Sequence, residues 1–138
     1  MRHEGDGGLP KVTSFEDLIA WQKARDFTRV VSDLIEQPPL ATKFSFRDQL
    51  HRAAVSVMSN IAEGYERGTR AEFHHMLSIA KGSNAEVRSL LYVAVDAGYV
   101  SQPTFQELMR SASEVGRLVG GLRASVARQR DSARATRT

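Results

Sequence analysis

The side chains best suited to chemistry lie between Phe46 and Ala97, where two segments rich in small residues carry histidines, carboxylates, serines and arginines at helical spacing. Glu72-Phe73-His74-His75 contains Glu-x-x-His, the pair that di-iron centres in helix bundles place on facing helices. Such a centre needs a second copy of the motif and two further inward carboxylates. Only one copy exists, and Glu72 also completes the box Thr69-Arg70-Ala71-Glu72, which opens a helix. No metal site is expected. Ser56, Ser59, Ser78 and Ser83 fall mid-helix, where serine serves close packing or bonds back to the preceding turn. A serine nucleophile needs a base and an orienting acid within hydrogen-bond reach, and the mid-helix packing reading is preferred for all four. The absence of cysteine removes thiolate ligands, cysteine nucleophiles and disulfides. The expectation is a protein with no catalytic residues, no cofactor and no small-molecule substrate.

Two polar constellations remain. Gln49, Arg52, Ser56, Asn60 and Glu63 recur along one side of a helix. They carry no excess of positive charge, which favours an internal hydrogen-bond network over a ligand site. Arg52 and Glu63 would reach partners on the following helix, with Ser83, Asn84 and Glu86 available. The second constellation is a candidate nucleic-acid face. His74, Ser78, Lys81, Ala85, Arg88 and Tyr92 share one side of that following helix. Arg67 and Arg70 lie at its start, and Arg47 and His51 on its neighbour. Cations beside an aromatic ring can contact phosphates and stack a base. For two or three charges a solvated face is the commoner arrangement.

Four amphipathic segments must position these residues. Ser14 with Asp17, or Thr13 with Glu16, caps the first, whose apolar face is Leu18, Trp21, Ala24, Phe27, Val31 and Leu34 and which stops at Pro38-Pro39. The second starts near Ser45, carries Phe46, Leu50, Ala54, Val57 and Ile61 inward, and ends between Gly64 and Gly68. The third runs from the Thr69 box through Phe73, Leu77, Ala80, Asn84, Val87, Leu91 and Ala94 to Gly98. Ser101 caps the fourth, where Phe105, Leu108, Ala112, Val115, Val119, Leu122 and Val126 alternate by three and four, the period of left-handed bundle packing. Glu107, Arg110, Glu114 and Arg117 form its charged edge. With no strand-like alternation anywhere, the fold class is all-α, an antiparallel up-down-up-down four-helix bundle. Residues 1–12 read as a disordered leader, 13–126 as the bundle and 127–138 as an Arg-rich disordered tail.

Composition agrees with one soluble domain. The chain has 138 residues, of which 41% are hydrophobic and 25% charged. Its formal charge of +3 is matched by the tail alone, where Arg128, Arg130, Arg134 and Arg137 stand against Asp131, so the body is neutral. The longest apolar run, Leu90 to Val95, is far too short for a membrane span of ~20 residues. No apolar leader resembles a signal peptide, and a cytoplasmic location is expected. Leu90-Leu91-Tyr92-Val93-Ala94-Val95 is apolar around the whole helix, so more than one of its faces should be covered. Gly116, Gly120 and Gly121 thin one side of the fourth helix, where a partner could approach. Both features point to self-association.

Phe15-Glu16-Asp17-Leu18-Ile19-Ala20-Trp21-Gln22-Lys23-Ala24-Arg25 resembles the opening of the four-helix-bundle proteins first described as encoded within 23S ribosomal RNA intervening sequences. Gln49 to Ser56, Asn60 to Gly64 and Leu77 to Ser83 resemble that family's central signature. The resemblance covers roughly Ser14 to Val126. His51 stands where the family often has arginine, and Pro38-Pro39-Leu40-Ala41 replaces its usual turn. The resemblance implies a bundle that assembles into a homopentameric ring. It also implies kinship with the accessory variability protein of diversity-generating retroelements, whose last helix Glu114 to Gly120 is similar to. The expected partners are further copies of the chain and RNA or a ribonucleoprotein; the alternative is a protein-interaction scaffold without affinity for nucleic acid.

Overall fold

The structure, a computed structural model, describes residues 11–137, with side chains as far as Gln129. The expected leader lies outside the described residues except for Lys11 and Val12, which are exposed and without regular structure. Four helices follow: α1 (Ile19–Leu34), α2 (Phe44–Glu66), α3 (Arg70–Asp96) and α4 (Gln102–Arg137). Short 3-10 turns at Phe15–Asp17 and Leu40–Thr42 precede α1 and α2. No strand occurs among the described residues. Helix α2 packs between α1 and α3, and α4 returns beside α3 to meet α1, which closes the four-cornered bundle.

Local sequence accounts for most of the boundaries. The Asp17 carboxylate accepts from the Thr13 N–H at 2.9 Å and the Ser14 N–H at 3.2 Å, so Ser14 with Asp17 is the box that forms. It opens the 3-10 turn, and α1 itself starts at Ile19. Helix α2 begins at Phe44, one residue before the expected Ser45, and no side chain caps its first turn. Thr69 Oγ1 accepts from the Glu72 N–H at 3.1 Å and so caps α3. The Glu72 carboxylate accepts from the Thr69 hydroxyl at 3.1 Å and not from its backbone, which leaves the expected box half formed. Helix α3 ends in a Schellman arrangement: Gly98 N–H donates to the Val95 carbonyl and Tyr99 N–H to the Ala94 carbonyl. Gly98 takes φ +75°, a conformation that glycine alone adopts without steric cost.

Helix α4 differs from expectation at its far end. The tail beyond Val126 was expected to be disordered, yet α4 continues to Arg137. No glycine or proline follows Gly121, and alanine, arginine and glutamine all favour helix.

The core follows the apolar faces. Leu50, Ile61, Leu77 and Leu91 are fully buried, each worth roughly 1.5–3 kcal/mol of transfer from water. Val31, Val87, Ala112 and Val119 complete the central layers. Trp21 is half-buried, edge-on to Phe15 with centroids 5.1 Å apart. Within the chain, residues 90–95 are covered on one face. Leu90, Leu91 and Ala94 are buried, but Tyr92 is 56% and Val93 48% exposed, because α2 and α4 flank only one side of α3.

Two close approaches fix the spacing of α3. A Cβ on Gly64 would lie 2.7 Å from Met76 Cβ, and one on Gly116 would lie 2.6 Å from Asn84 Oδ1. Gly116 and Gly120 therefore serve the chain's own α3, Gly120 facing Lys81, and not a surface opposite it; Gly121 meets open space. Gly64→Ala is expected to lower stability by about 1–3 kcal/mol, since Met76 Cβ cannot move without its backbone. Gly82→Ala, where nothing stands within 4 Å, is expected to raise it by about 0.5–1 kcal/mol. Urea denaturation of both variants checks this contrast, and two equal midpoints would contradict it.

The bonds to Thr13 and Ser14 hold the Asp17 carboxyl below its ordinary value of 3.8. A carboxylate with a depressed folded pKa stabilises the fold above the unfolded value and loses that contribution as pH falls through the folded one. Asp17→Asn should therefore unfold at lower temperature than the parent at pH 7. The gap should close on acidification below about pH 4, which thermal melts across that range will show.

Candidate nucleic-acid interface

The expected polar stripe divides. Ser56 Oγ on α2 lies 2.8 Å from Ser83 Oγ on α3, and Asn60 Nδ2 donates to the Ser56 carbonyl at 2.8 Å and to its hydroxyl at 3.0 Å. These three residues form the network between α2 and α3. Gln49, Arg52 and Glu63 are not part of it and are exposed. Glu63 pairs instead with Arg67 on its own helix, at 2.8 Å. The long side chains fall outside the seam because close packing of small residues leaves no room for them.

The eight candidate nucleic-acid residues separate in the same way. Arg47 is a clamp on the connection between α1 and α2: it donates to the Ala41 carbonyl at 2.8 Å and pairs with Glu36 at 3.1 Å. His51 Nε2 lies 3.3 Å from Ser32 Oγ on α1. Arg67 is shared between Glu63 and Glu72, whose hydrogen bonds raise its already high pKa. Arg70 is exposed at the first turn of α3. The backbone carbonyl of His74 accepts from Ser78 Oγ at 3.0 Å. Arg47, His51 and Arg67 are thus engaged in holding helix ends and seams together.

Lys81 and Arg88 lie elsewhere, along the groove between α3 and α4, with Tyr92 one turn beyond Arg88 on α3. This groove has a volume of about 410 Å3 and is lined by Lys81, Asn84, Arg88, Ser113, Gly116, Arg117 and Gly120. Three of its lining residues are cations, none is acidic, and no ion pair within 4 Å engages Lys81, Arg88 or Arg117 among the described residues. Asn84, 2% exposed, holds it open. Its Nδ2 donates to the Ala112 carbonyl at 2.9 Å, and its Oδ1 accepts from Arg88 Nε at 2.9 Å. That second bond fixes the inner edge of the guanidinium. At one end Arg123 Nε donates to Ser78 Oγ at 2.7 Å; at the other Tyr92 packs on Phe105 with centroids 5.1 Å apart. On α3 the groove lining runs from Lys81 to Arg88, about 10 Å at the 1.5 Å rise of a helix, and Tyr92 stands one turn further on.

Arg117 and Arg123 were missed in the sequence. Arg117 lay in a charge ladder that reads as a solvated edge, and Arg123 is one position past the core residue Leu122. Their opposition to Lys81 and Ser78 depends on the register of α4 against α3. The heptad pattern does not encode that register. Asn84, expected to serve the α2 seam, turns to α4 because Gly116 leaves space for its amide there.

The fold and site thus define a class: an all-helical four-helix protein whose last two helices frame a cationic groove. The family model of the 23S rRNA-intervening sequence protein matches residues 16–121, and the chain belongs to that family. Among solved structures, it is similar to a protein of unknown function from the S23 ribosomal protein family of Bacteroides thetaiotaomicron, with a TM-score of 0.70 and 19% identity. That likeness covers 75% of this chain and 97% of the other, and it shows the fold. No curated protein matches the chain. Among the described residues no helix is long and apolar enough to cross a membrane.

Asn84→Ala is expected to cost about 1–3 kcal/mol, since it empties a buried position and strips both hydrogen bonds. Ser56→Ala, at a half-buried position, should cost about 0.5–1.5 kcal/mol. Denaturant titration of the pair checks the order, and a larger loss at Ser56 would reverse the assignment of Asn84 as the tighter seam.

Proposed function

We propose that this protein is a non-catalytic bundle that binds RNA, free or within a ribonucleoprotein, through the groove between α3 and α4. The supporting observation is the groove's charge: Lys81, Arg88 and Arg117 line it and no acidic residue is among its lining. On a body of balanced charge, such a cluster is a local attractor for phosphate. The family's name, which refers to 23S rRNA, agrees with this reading. Several copies form a ring, with five the expected number, and repeat the groove so that a weak contact becomes a strong one. Ile79 and Val93 on α3 and Val30 on α1 are exposed apolar residues that such an assembly would cover. Kinship with the accessory variability protein of diversity-generating retroelements belongs to the same reading.

The test is fluorescence anisotropy of a labelled structured RNA from low to physiological salt. Affinity should persist at physiological salt and fall linearly in log–log form, and Lys81→Glu with Arg117→Glu should lower that slope by about one unit per lost contact. Sedimentation of the unlabelled protein should give a mass several times that of one chain. If RNA does not bind at physiological salt, the scaffold reading takes its place. That reading has its own support in a cleft of about 400 Å3 formed by Lys43, Phe44, Ser45, Phe46, Gln49 and Tyr99, in which Phe44 is 66% exposed.

A further inference from the structure

Resting on RNA binding at the α3–α4 groove, we infer that the groove is a track for a single strand: it takes an unpaired RNA segment, with phosphates on Lys81, Arg88 and Arg117 and a base stacked on Tyr92. The first reason is the position of the ring. Lys81, Arg88 and Tyr92 succeed one another along α3 at seven and four residues, which keeps them on one side of the helix. Tyr92 is more than half exposed, while the buried Phe105 supports its ring at a tilt of 59°. A flat, exposed ring with a fixed backing at the end of a cationic groove is the arrangement by which proteins hold unpaired bases. Paired bases in a duplex are already stacked on both faces and offer this ring nothing.

The second reason is size. Helices in contact sit about 8–10 Å apart, and Gly116 brings α4 within touch of the Asn84 amide. The groove floor between them has room for one backbone. Double-stranded RNA is instead recognised by surfaces that reach across successive minor grooves over about 16 base pairs. The stretch of α3 from Lys81 to Tyr92, about 16 Å, matches about five stacked nucleotides at roughly 3.4 Å each. Arg88 strengthens the case. Asn84 fixes its Nε from within, so the two terminal nitrogens of the guanidinium are left to meet a phosphate as a planar fork. Three phosphate contacts on a single strand correspond to a log–log salt slope of about −2.

The experiment uses the full-length protein in its own assembly state. A labelled 12-nucleotide RNA without self-complementarity is titrated alone and as a duplex with its complement, against the parent, Tyr92→Phe, Tyr92→Leu and Lys81→Glu. Tyr92→Leu keeps apolar cover over Phe105 but lacks a flat ring, and circular dichroism establishes that each variant folds. The single strand should bind at least about tenfold more tightly than the duplex. Tyr92→Leu should weaken single-strand binding by roughly 5- to 150-fold, the range for loss of one stacked base, and Tyr92→Phe should stay within about twofold of the parent. Equal affinity for strand and duplex, or Tyr92→Leu binding like the parent, overturns the inference. If Lys81→Glu still weakens binding in that case, RNA recognition at the groove stands and only the single-strand track falls. If neither RNA form binds the parent, both readings fall together.

Discussion

The close approach of α3 to both of its neighbours is the constraint on which the rest of the structure depends. Gly64 admits Met76 on one side, and Gly116 admits the Asn84 amide on the other. At the closest points of approach, small and well-partnered polar groups sit beside these contacts. Ser56 meets Ser83 directly, and Asn84 spends both ends of its amide, one on the α4 backbone and one on Arg88. The groove above Asn84 exists for the same reason. Glycine at 116 and 120 and serine at 113 keep the α4 side low, so the cations along its rims project past a shallow floor.

The division of labour among the arginines follows from this geometry. Arg47 and Arg67 sit near helix ends, where carboxylates and free carbonyls are within reach, and they are consumed there by Glu36, Ala41, Glu63 and Glu72. These exposed or part-exposed pairs contribute little to stability, but they cancel charge locally. Lys81, Arg88 and Arg117 sit mid-helix beside apolar and small residues. Among the described residues no ion pair engages them, so uncancelled positive charge gathers at the groove more than at the α2–α3 connection.

Periodicity and capping chemistry are local, and the sequence reveals them well. The Thr69 cap, the glycine stop at Gly98, the buried faces of α2 and α3 and most of the heptad pattern of α4 can all be read from residues a few positions apart. The site could be read only in part, because it depends on how two helices are phased against each other. Lys81, Arg88 and Tyr92 were found from the α3 side alone. Arg117 and Arg123, which complete the groove from α4, look like an ordinary charged edge until that phasing is known. Arg47 and Arg67 show the opposite error: spacing identifies a cation but not the carboxylate that occupies it. Tyr92 and Val93 show a third limit, since an apolar run does not say whether its cover comes from the same chain.

The tight connection at Ala97–Ser101 has a consequence for the order of assembly. With Gly98 turning the chain at once, α3 and α4 are a hairpin whose first contacts, such as Tyr92 with Phe105, are separated by only a dozen or so residues. The α2–α3 turn at Gly68 does the same for Gly64 and Met76. Nearly all of the bundle can therefore zip outward from its turns, with little loop entropy to overcome and the fast kinetics that go with local topology. Only the seam between α1 and α4 joins the two ends of the chain. That seam closes the longest stretch of chain and so carries the largest loop-closure entropy of the bundle.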